Sequence, residues 1–300
     1  MNYGLLDAHN LSWKLHLVES NLMRRELLHT YEQERHAVAS RLIDFDATYA
    51  GLFSSHNPSQ QANDEFIRIF QQNSLLTSGY GVEYPPSTLT VSTPNTKSSS
   101  SSSSSSVPSQ TTLQPGRSFP PTNVTRVIDA HDVPLERDVP FNGSFNIYIF
   151  AGQQPHQALS DLSNHLTRRT SVFSRARRST QTTDLSYEGR HNPHSALYTF
   201  SIIFNATRSS IDITALPSFF QPYRYHLYSD DARRQPSTQG AAHAKLGFGP
   251  REGGVVVVRP DGYVGCVLGL LPGRATAGAL EGYFLGLVPL GLSGEVRSML

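Results

Sequence analysis

The sequence predicts an α/β protein (α+β mixed) in which N-terminal helices precede a domain built on a mixed β-sheet. Leucines recur at helical spacing in residues 5–55. Apolar runs of strand length alternate with helical segments after residue 144, and a serine tract separates the two regions. The chain has 300 residues, a length typical of about two domains.

The N-terminal region carries two amphipathic helical patterns. Apolar residues share one face of a first helix at Leu11, Leu15, Val18 and Leu22, and one face of a second at Leu28, Tyr31, Val38 and Leu42. Trp13 and Lys14 lie off the first stripe, and Glu34 and Arg35 lie off the second. We predict two helices joined near Ser20 and Asn21, the second continuing to about Ser54. A shorter helix is predicted within residues 60–80.

Two stretches are predicted to be irregular. From Ser87 to Gln114 the composition falls to Ser, Thr, Pro and Gln, which cannot bury enough apolar surface to offset ordering entropy. We therefore predict a disordered linker at residues 87–111. Residues 168–194 hold Arg168, Arg169, Arg175, Arg177 and Arg178 among Ser and Thr, and we interpret the stretch as a basic loop. A nucleic-acid surface would carry aromatic residues interleaved with these arginines, and Phe173 is the single one within residues 168–178.

The second half contains the β material. Strands are predicted at Phe145–Phe150, Tyr198–Phe204, Tyr223–Tyr228, Val255–Val258 and Tyr263–Val267. Helices are predicted around Leu159, Leu162 and Leu166, and at Ala277–Leu287. Pro260, Asp261 and Gly262 form a strong turn signal between the last two strands. The order strand, helix, strand, strand, hairpin, helix is thioredoxin-like in outline.

Composition limits the function classes. The formal net charge is +1, so no global charge attracts nucleic acid or an anionic membrane. The single cysteine, Cys266, excludes an internal disulfide framework and a Cys-based zinc site. The most apolar region, residues 263–292, is interrupted by prolines and charges and does not predict a bilayer-spanning helix. We expect a soluble protein in the reducing, cytoplasmic compartment, with neither nucleic acid nor membrane as a partner.

Four segments resemble one enzyme family. Residues 1–15, MNYGLLDAHNLSWKL, are similar to the end of the second flavin motif of class A flavoprotein aromatic hydroxylases. Residues 28–35, LHTYEQER, resemble the helix that follows this motif. PGRSFP at residues 115–120 and RPDGYVG at residues 259–265 resemble the C-terminal domain of phenol 2-monooxygenase-like members. The resemblance covers residues 1 to about 55 and 112 to 290, in order.

The resemblance implies FAD as the cofactor, with Asn2 and Gly4 as flavin contacts. In the family a helix begins here, so free backbone N–H groups and the positive helix end face the flavin pyrimidine ring. Negative charge accumulates on that ring upon reduction, and such donors stabilise it. For Asp7, Asn10, Trp13 and Lys14 we expect structural roles: capping, packing or a solvated charge. No catalytic residue and no metal ligand is assigned.

The family's Gly-x-Gly-x-x-Gly motif and substrate-activating residues have no counterpart in this sequence. We therefore expect a C-terminal fragment of an FAD-dependent, NAD(P)H-using monooxygenase, with NADPH as the family's electron donor, that hydroxylates phenolic rings and is inactive alone. Residues 1–86 would be an incomplete FAD-binding domain, and residues 87–111 the linker. Residues 112–300 would be a thioredoxin-like domain that forms a homodimer.

Two other functions were considered. Residues 112–290 could form a non-catalytic dimerisation or interaction module, and a truncation starting near residue 112 is then expected to be more soluble than the intact chain. Thioredoxin-type redox activity needs two cysteines at the first helix, whereas AGQQPH follows Phe150 and Cys266 lies in a predicted buried strand. His191 and His194 lack a third ligand at useful spacing for a metal.

Overall fold

A computed structural model describes residues 2–54, 64, 67–68, 81–91, 113–152, 156–177, 195–231, 241–249 and 252–293. The strands within these residues are β1 (Asn123–Arg126), β2 (Asp132–Pro134), β3 (Phe145–Ala151), β4 (Tyr198–Phe204), β5 (Leu227–Ser229), β6 (Gly254–Val258) and β7 (Val264–Gly269). The α-helices are α1 (Asn2–Glu19), α2 (His29–Ser54), α3 (Leu135–Asp138), α4 (Gln157–Leu166), α5 (Val172–Arg175), α6 (Ala241–Leu246), α7 (Ala275–Leu285) and α8 (Leu290–Ser293).

All seven strands form one mixed sheet in the order β2-β1-β5-β4-β3-β6-β7. The pairs β3–β4 and β4–β5 are parallel, and the remaining neighbours are antiparallel. Every residue of β4 and β6 is buried, because both faces of the sheet are covered. This explains why the central strands appear in the sequence as continuous apolar runs rather than alternating ones. The predicted α/β class with a mixed sheet is confirmed.

The two faces of the sheet have separate cores. In β3, Phe145, Ile147 and Ile149 face the core that α4 and α7 cover. Tyr148 and Phe150 face the opposite core, which is closed by residues 113–135 and by α6. The alternation follows from the two-residue period of a strand. Trp13 and Leu17 of α1 belong to the first core, so the N-terminal helices and the sheet share one hydrophobic cluster.

The two N-terminal helices lie where the sequence predicts them, but their buried faces differ from the prediction. The turn between α1 and the next 3₁₀ helix, Arg25–Leu28, contains Asn21 with φ 54°, a conformation that asparagine tolerates. Leu15 is 40% exposed, whereas the side chain of Lys14 is fully buried. The predicted apolar stripe is therefore confirmed at Val18 and wrong at Leu15, because the buried face of α1 also carries polar groups that are paired in the folded protein.

Most elements of the second half agree with the sequence prediction. The strands β3, β4, β6 and β7 and the helices α4 and α7 occupy the predicted regions within a few residues. The predicted strand at Tyr223–Tyr228 is wrong over its first part, where residues Gln221–His226 form a 3₁₀ helix. Pro222 cannot donate a backbone hydrogen bond to a sheet, and the Tyr223 ring packs 5.5 Å from Phe200. The short strands β1 and β2 have no apolar run and were not predicted.

The first part of the predicted linker is ordered. Leu89 is fully buried, and its carbonyl accepts a hydrogen bond of 3.0 Å from the Tyr283 hydroxyl. The Val91 amide donates to the Gly265 carbonyl at 2.8 Å, beside β7. Assignment of residues 87–91 to a disordered linker is therefore wrong, since two apolar anchors and backbone pairing outweigh the Ser-rich composition. Residues 92–112 lie outside the described residues.

Three further predictions fall partly outside the described residues. Of residues 60–80, the structure describes Asp64, Ile67 and Arg68, all in helical conformation. Of the predicted basic loop, it describes residues 168–177, in which α5 buries Phe173 in the first core. His191 and His194 are not among the described residues. Among the described helices, none has the length and apolar character required to cross a bilayer.

Candidate functional site

A cluster of charged and polar side chains connects α1 and α2 to the tip of the β6–β7 hairpin. This buried ion cluster consists of Asn10, Trp13, Lys14, Glu34, Tyr84, Arg259 and Asp261. The three segments LSWKL, YEQER and RPDG that the sequence resemblance singled out contribute or adjoin most of these residues. The cluster therefore brings together motifs that are more than 200 residues apart.

Glu34 is the acceptor at the centre of the buried ion cluster. Its Oε1 accepts a hydrogen bond from Arg259 Nη1 at 2.6 Å, and its Oε2 accepts one from Arg259 Nη2 at 2.9 Å. Lys14 Nζ donates to Oε2 at 2.9 Å, and Asn10 Nδ2 donates to it at 2.8 Å. The two-point pairing with a guanidinium is the strong, oriented form of an ion pair. Glu34, Arg259 and Lys14 all have fully buried side chains.

Arg259 is enclosed by aromatic rings as well as by carboxylates. Its Cζ atom lies 5.4 Å from the ring centre of Trp13, 5.0 Å from that of Tyr84 and 5.8 Å from that of Tyr263. Asp261 accepts hydrogen bonds from Arg259 Nε at 3.1 Å and Nη2 at 2.6 Å. Arginine suits this position because its flat guanidinium can stack on rings while it donates in its own plane.

The predicted turn at residues 259–262 orients both charged groups. The Gly262 amide donates to the Arg259 carbonyl at 2.9 Å, and the Arg259 amide donates to the Tyr263 carbonyl at 2.8 Å. Gly262 has φ 82°, a conformation that glycine adopts readily. From this turn Asp261 Oδ2 accepts hydrogen bonds from Trp13 Nε1 at 3.0 Å and Asn10 Nδ2 at 3.3 Å. The hairpin tip is thus bonded directly to α1.

Charge balance decides the protonation of the buried ion cluster. Burial opposes ionisation of Glu34, but Arg259 and Lys14 outweigh it and lower the pKa of that carboxyl below its usual value. Burial would lower the pKa of Arg259, and Asp261 with Glu34 reverses this, so the pKa is raised. Burial lowers the pKa of Lys14 to about 8, against partial support from Glu34. Lys14 is therefore the weakest charge of the cluster.

A second ion pair extends the cluster toward the beginning of α1. Arg35 Nε donates to Asp7 Oδ1, and Arg35 Nη1 donates to the Tyr84 hydroxyl at 3.2 Å. The Tyr84 ring packs against Tyr263, with 4.3 Å between ring centres. Burial, followed by the charge of Asp261, raises the pKa of Tyr84, so its hydroxyl stays protonated. Residues 81–84 thereby connect α2 to the hairpin.

The structure assigns the sequence-predicted residues to two places. Asn10 and Trp13 have the expected structural roles, whereas the expectation of a solvated charge at Lys14 is wrong. Sequence reasoning placed Glu34 and Arg35 on a polar face and missed that both are buried. The available signal of their burial was their position inside the resembling segment LHTYEQER. Exposed charges have no structural reason to belong to a family motif.

Asn2 and Gly4 lie outside the buried ion cluster. Asn2 is the first residue of α1, and Gly4 follows in its first turn. Gly4 is exposed, and a Cβ atom added there would meet nothing within 4 Å. The first turn has no acidic residue. The assignment of these two residues to a flavin site stays a prediction.

The start of α1 fits the requirements of a flavin ring edge. The first backbone N–H groups of a helix have no acceptor within the helix, and the positive end of the helix dipole lies there. The open space around Gly4 allows a flat ring to approach the backbone. Of the cofactor, only this edge could be bound by residues 2–4. The donor set is therefore compatible with FAD.

A cleft of about 340 Å³ lies beside the hairpin tip. Arg259, Pro260 and Asp261 line one side of it, and Phe141 and Asn146 line another. Phe141 is 64% exposed, and its ring lies 5.0 Å from His9 of α1. His9 of α1 also lines the cleft, and Glu34 does not.

Cys266 has the role that the sequence predicts for it. It lies in β7 with 1% of its surface exposed, and burial raises the pKa of its thiol to about 12. A thiol in this state is neither a good nucleophile nor a redox partner. Among the described residues, no group of three or more His, Cys, Asp or Glu side chains could hold a metal ion.

Comparison with known families defines the class of protein. Residues 82–289 match the phenol hydroxylase C-terminal dimerisation domain. Residues 1–46 match an FAD binding domain. The chain belongs to the phenol hydroxylase family of class A FAD-dependent aromatic hydroxylases, which are enzymes. The sequence resemblance is thus confirmed.

Two curated relatives are aligned with almost the whole chain. The 3-hydroxybenzoate 4-monooxygenase of Comamonas testosteroni is 31% identical over 300 residues, which cover 95% of this chain and 43% of that enzyme. Phenol 2-monooxygenase fsqG of Aspergillus fumigatus is 26% identical over 274 residues, which cover 89% of this chain and 42% of that enzyme. The chain therefore spans less than half the length of these relatives.

A solved structure shares the fold. The crystal structure of the flavin-dependent monooxygenase PieE, in complex with FAD and substrate, aligns with 98% of this chain and 44% of its own. The TM-score is 0.51 and the sequence identity is 16%. At this identity the likeness concerns the fold alone.

Proposed function

We propose that this chain is the C-terminal portion of an FAD-dependent monooxygenase that hydroxylates phenolic rings with electrons from NADPH, and that it is inactive alone. One observation carries the proposal. The segments that match the FAD binding domain and the dimerisation domain are joined by Glu34 and Arg259 at 2.6 Å. The fully buried pair indicates that the two segments belong to one enzyme rather than to independent modules.

In this proposal Asn2 and Gly4 contact the flavin. Bound FAD would supply the redox chemistry, and this chain would supply backbone donors at one edge of the ring. Gly4 leaves the approach open, and the helix end favours negative charge on the ring. Leu5 is 66% exposed and Leu15 40% exposed on the outer side of α1. That apolar face is available to the rest of an FAD-binding domain.

The size of the native polypeptide tests the proposal. An antibody against a peptide from residues 259–293 would be used on an immunoblot of the source cells. A band at about twice 33.1 kDa, together with FAD in the purified protein, is expected. A band at 33.1 kDa with no FAD bound would refute the monooxygenase and favour the alternative, a non-catalytic dimerisation module.

We also propose that the chain forms a homodimer through residues 82–289, in support of which stands the match to a dimerisation domain. Sedimentation equilibrium of the full chain over a hundredfold range of concentration tests this. A mass that doubles as concentration rises is expected. A chain that stays monomeric at every concentration would contradict the homodimer.

A further inference from the structure

Helix α1 is held from one side. Its inward-facing stripe consists of Tyr3, Asn10, Trp13, Lys14 and Leu17, and the partly exposed Asp7 lies at its edge. Leu5 and Leu15 lie on the opposite, exposed side. The rotation of α1 about its axis is therefore set by the contacts of a single stripe.

Asp261 is the point at which the hairpin is hydrogen-bonded to this stripe. Among the hydrogen bonds of the described residues, those from Trp13 Nε1 and Asn10 Nδ2 to Asp261 Oδ2 join side chains of α1 to the β6–β7 hairpin. The carboxylate is 3% exposed and is itself fixed by Arg259. The contacts of α1 with Glu34 run instead to α2.

We propose that Asp261 is a positioning residue that sets the orientation of α1, and with it the helix end at which Asn2 and Gly4 lie. Asn2 is eight residues before Asn10, which is about 12 Å along a helix. A helix transmits rotation over this distance as a rigid rod, so a carboxylate in the dimerisation domain controls a site in the FAD-binding part. That Asn2 and Gly4 form a flavin site rests on the proposed function.

The single tryptophan of the chain makes the proposal testable by spectroscopy. Trp13 fluorescence reports directly on the bond to Asp261, because no other tryptophan contributes. The full chain would be compared with Asp261→Ala, which removes the acceptor, and with Asp261→Asn, whose amide oxygen can still accept from Trp13. Amide hydrogen exchange of residues 6–13 would be measured in the same samples, with β3 as the internal reference.

The matched control is Asp138→Asn. Asp138 is also a buried carboxylate, 6% exposed, that accepts from an arginine and an aromatic side chain, here Arg126 and the Tyr228 hydroxyl at 2.6 Å. Among the described residues its hydrogen bonds and ion pair join it to Arg126 and Tyr228, neither of which lies in α1. Trp13→Phe supplies a second variant that removes the donor and keeps the ring, in case Asp261→Ala does not fold.

For Asp261→Ala we expect a red-shifted Trp13 emission and about tenfold faster exchange in α1, with β3 unchanged, because a hydrogen bond to a charged group is lost. Asp261→Asn should restore most of the emission, Trp13→Phe should accelerate exchange in α1, and Asp138→Asn should leave α1 unchanged. Equal exchange in α1 for wild type, Asp261→Ala and Trp13→Phe would overturn the positioning role. A separate FAD titration tests the proposed function, whose failure would leave the exchange result intact.

Discussion

Replacing Glu34 by glutamine is the sharpest test of the buried ion cluster. Glutamine keeps the size of the side chain and removes the charge that Lys14 and Arg259 share. Its amide group also presents N–H donors where the carboxylate accepted four hydrogen bonds. At least one buried donor of a neighbour then faces another donor. The variant should therefore be strongly destabilised.

The magnitude follows from the burial of the pair. Breaking a buried ion pair by removing one partner costs about 3–5 kcal/mol, because the other charge is left without compensation. A folded domain has about 5–15 kcal/mol in total. Asp261 still pairs with Arg259, so we expect the lower end, about 3 kcal/mol. In the exposed pair Glu83–Arg117 the guanidinium also donates two hydrogen bonds, both to Glu83 Oε2, and Glu83→Gln should change stability by less than about 1 kcal/mol.

Urea unfolding, followed by circular dichroism and by Trp13 fluorescence, measures the effect. A double-mutant cycle with Glu34→Leu and Arg259→Met then isolates the pair. The double variant should lose about 2 kcal/mol less than the sum of the single variants, since it leaves Lys14 and Asp261 as charges of opposite sign. A Glu34→Gln variant as stable as Glu83→Gln, or a cycle additive within about 0.5 kcal/mol, would refute the reasoning.

Three further predictions concern the pH response, the backbone and the independence of the C-terminal domain. Folding lowers the pKa of Lys14 from 10.5 to about 8, so between these pH values the unfolded chain binds more protons than the folded one. The contribution of Lys14 to the free energy of unfolding therefore increases as the pH rises from 8 to 10.5, by about 3 kcal/mol in all. Urea unfolding from pH 8 to 10.5 should show this slope in wild type and not in Lys14→Met. Gly253 has φ 67°, and a Cβ atom added there would lie 2.0 Å from the Phe150 carbonyl oxygen, whereas Gly262 has φ 82° and open space around it. In urea unfolding, Gly262→Ala should lose about 1–2 kcal/mol of stability, and Gly253→Ala should lose clearly more. A truncation starting at residue 112 removes Glu34 and two of the three rings around Arg259, those of Trp13 and Tyr84. In a sedimentation assay it should therefore be less soluble than the full chain, the reverse of the expectation from sequence. A more soluble truncation would contradict the role assigned to the buried ion cluster.

The sequence predicted the sheet better than the helix faces. The strands β3 and β4 are recognisable because burial on both sides makes them apolar throughout. The inner face of α1 was misjudged because it carries Asn10 and Lys14, whose partners lie on other elements. Apolar periodicity detects burial only where the buried groups are apolar.

The sequence also could not predict that the motifs meet in the buried ion cluster, because their contacts again lie between distant elements. The segments that supply Asn10, Glu34 and Arg259 were recognised by resemblance, whereas the segment that supplies Tyr84 was not. Asn2 and Gly4 were assigned from the same resemblance. The pairing of Glu34 with Arg259 spans 225 residues, and no local propensity encodes it. The position of Glu34 inside a family motif could have indicated that its charge is buried and paired. Only a second motif with a charge of opposite sign, such as the one that contains Arg259, could have indicated its partner.

The buried ion cluster also bears on why a dimerisation domain and a segment that matches an FAD binding domain occur in one chain. Hydrophobic contacts alone would define the rotation and register of α1 less sharply, since the hydrophobic effect is not directional. Arg259 and Asp261 add hydrogen bonds of defined direction to three side chains of α1 and α2. The burial of these charges gains little stability, because desolvation offsets much of the attraction. What it provides is a single register between the two parts, and the flavin site that we propose at the beginning of α1 would depend on that register more than on stability.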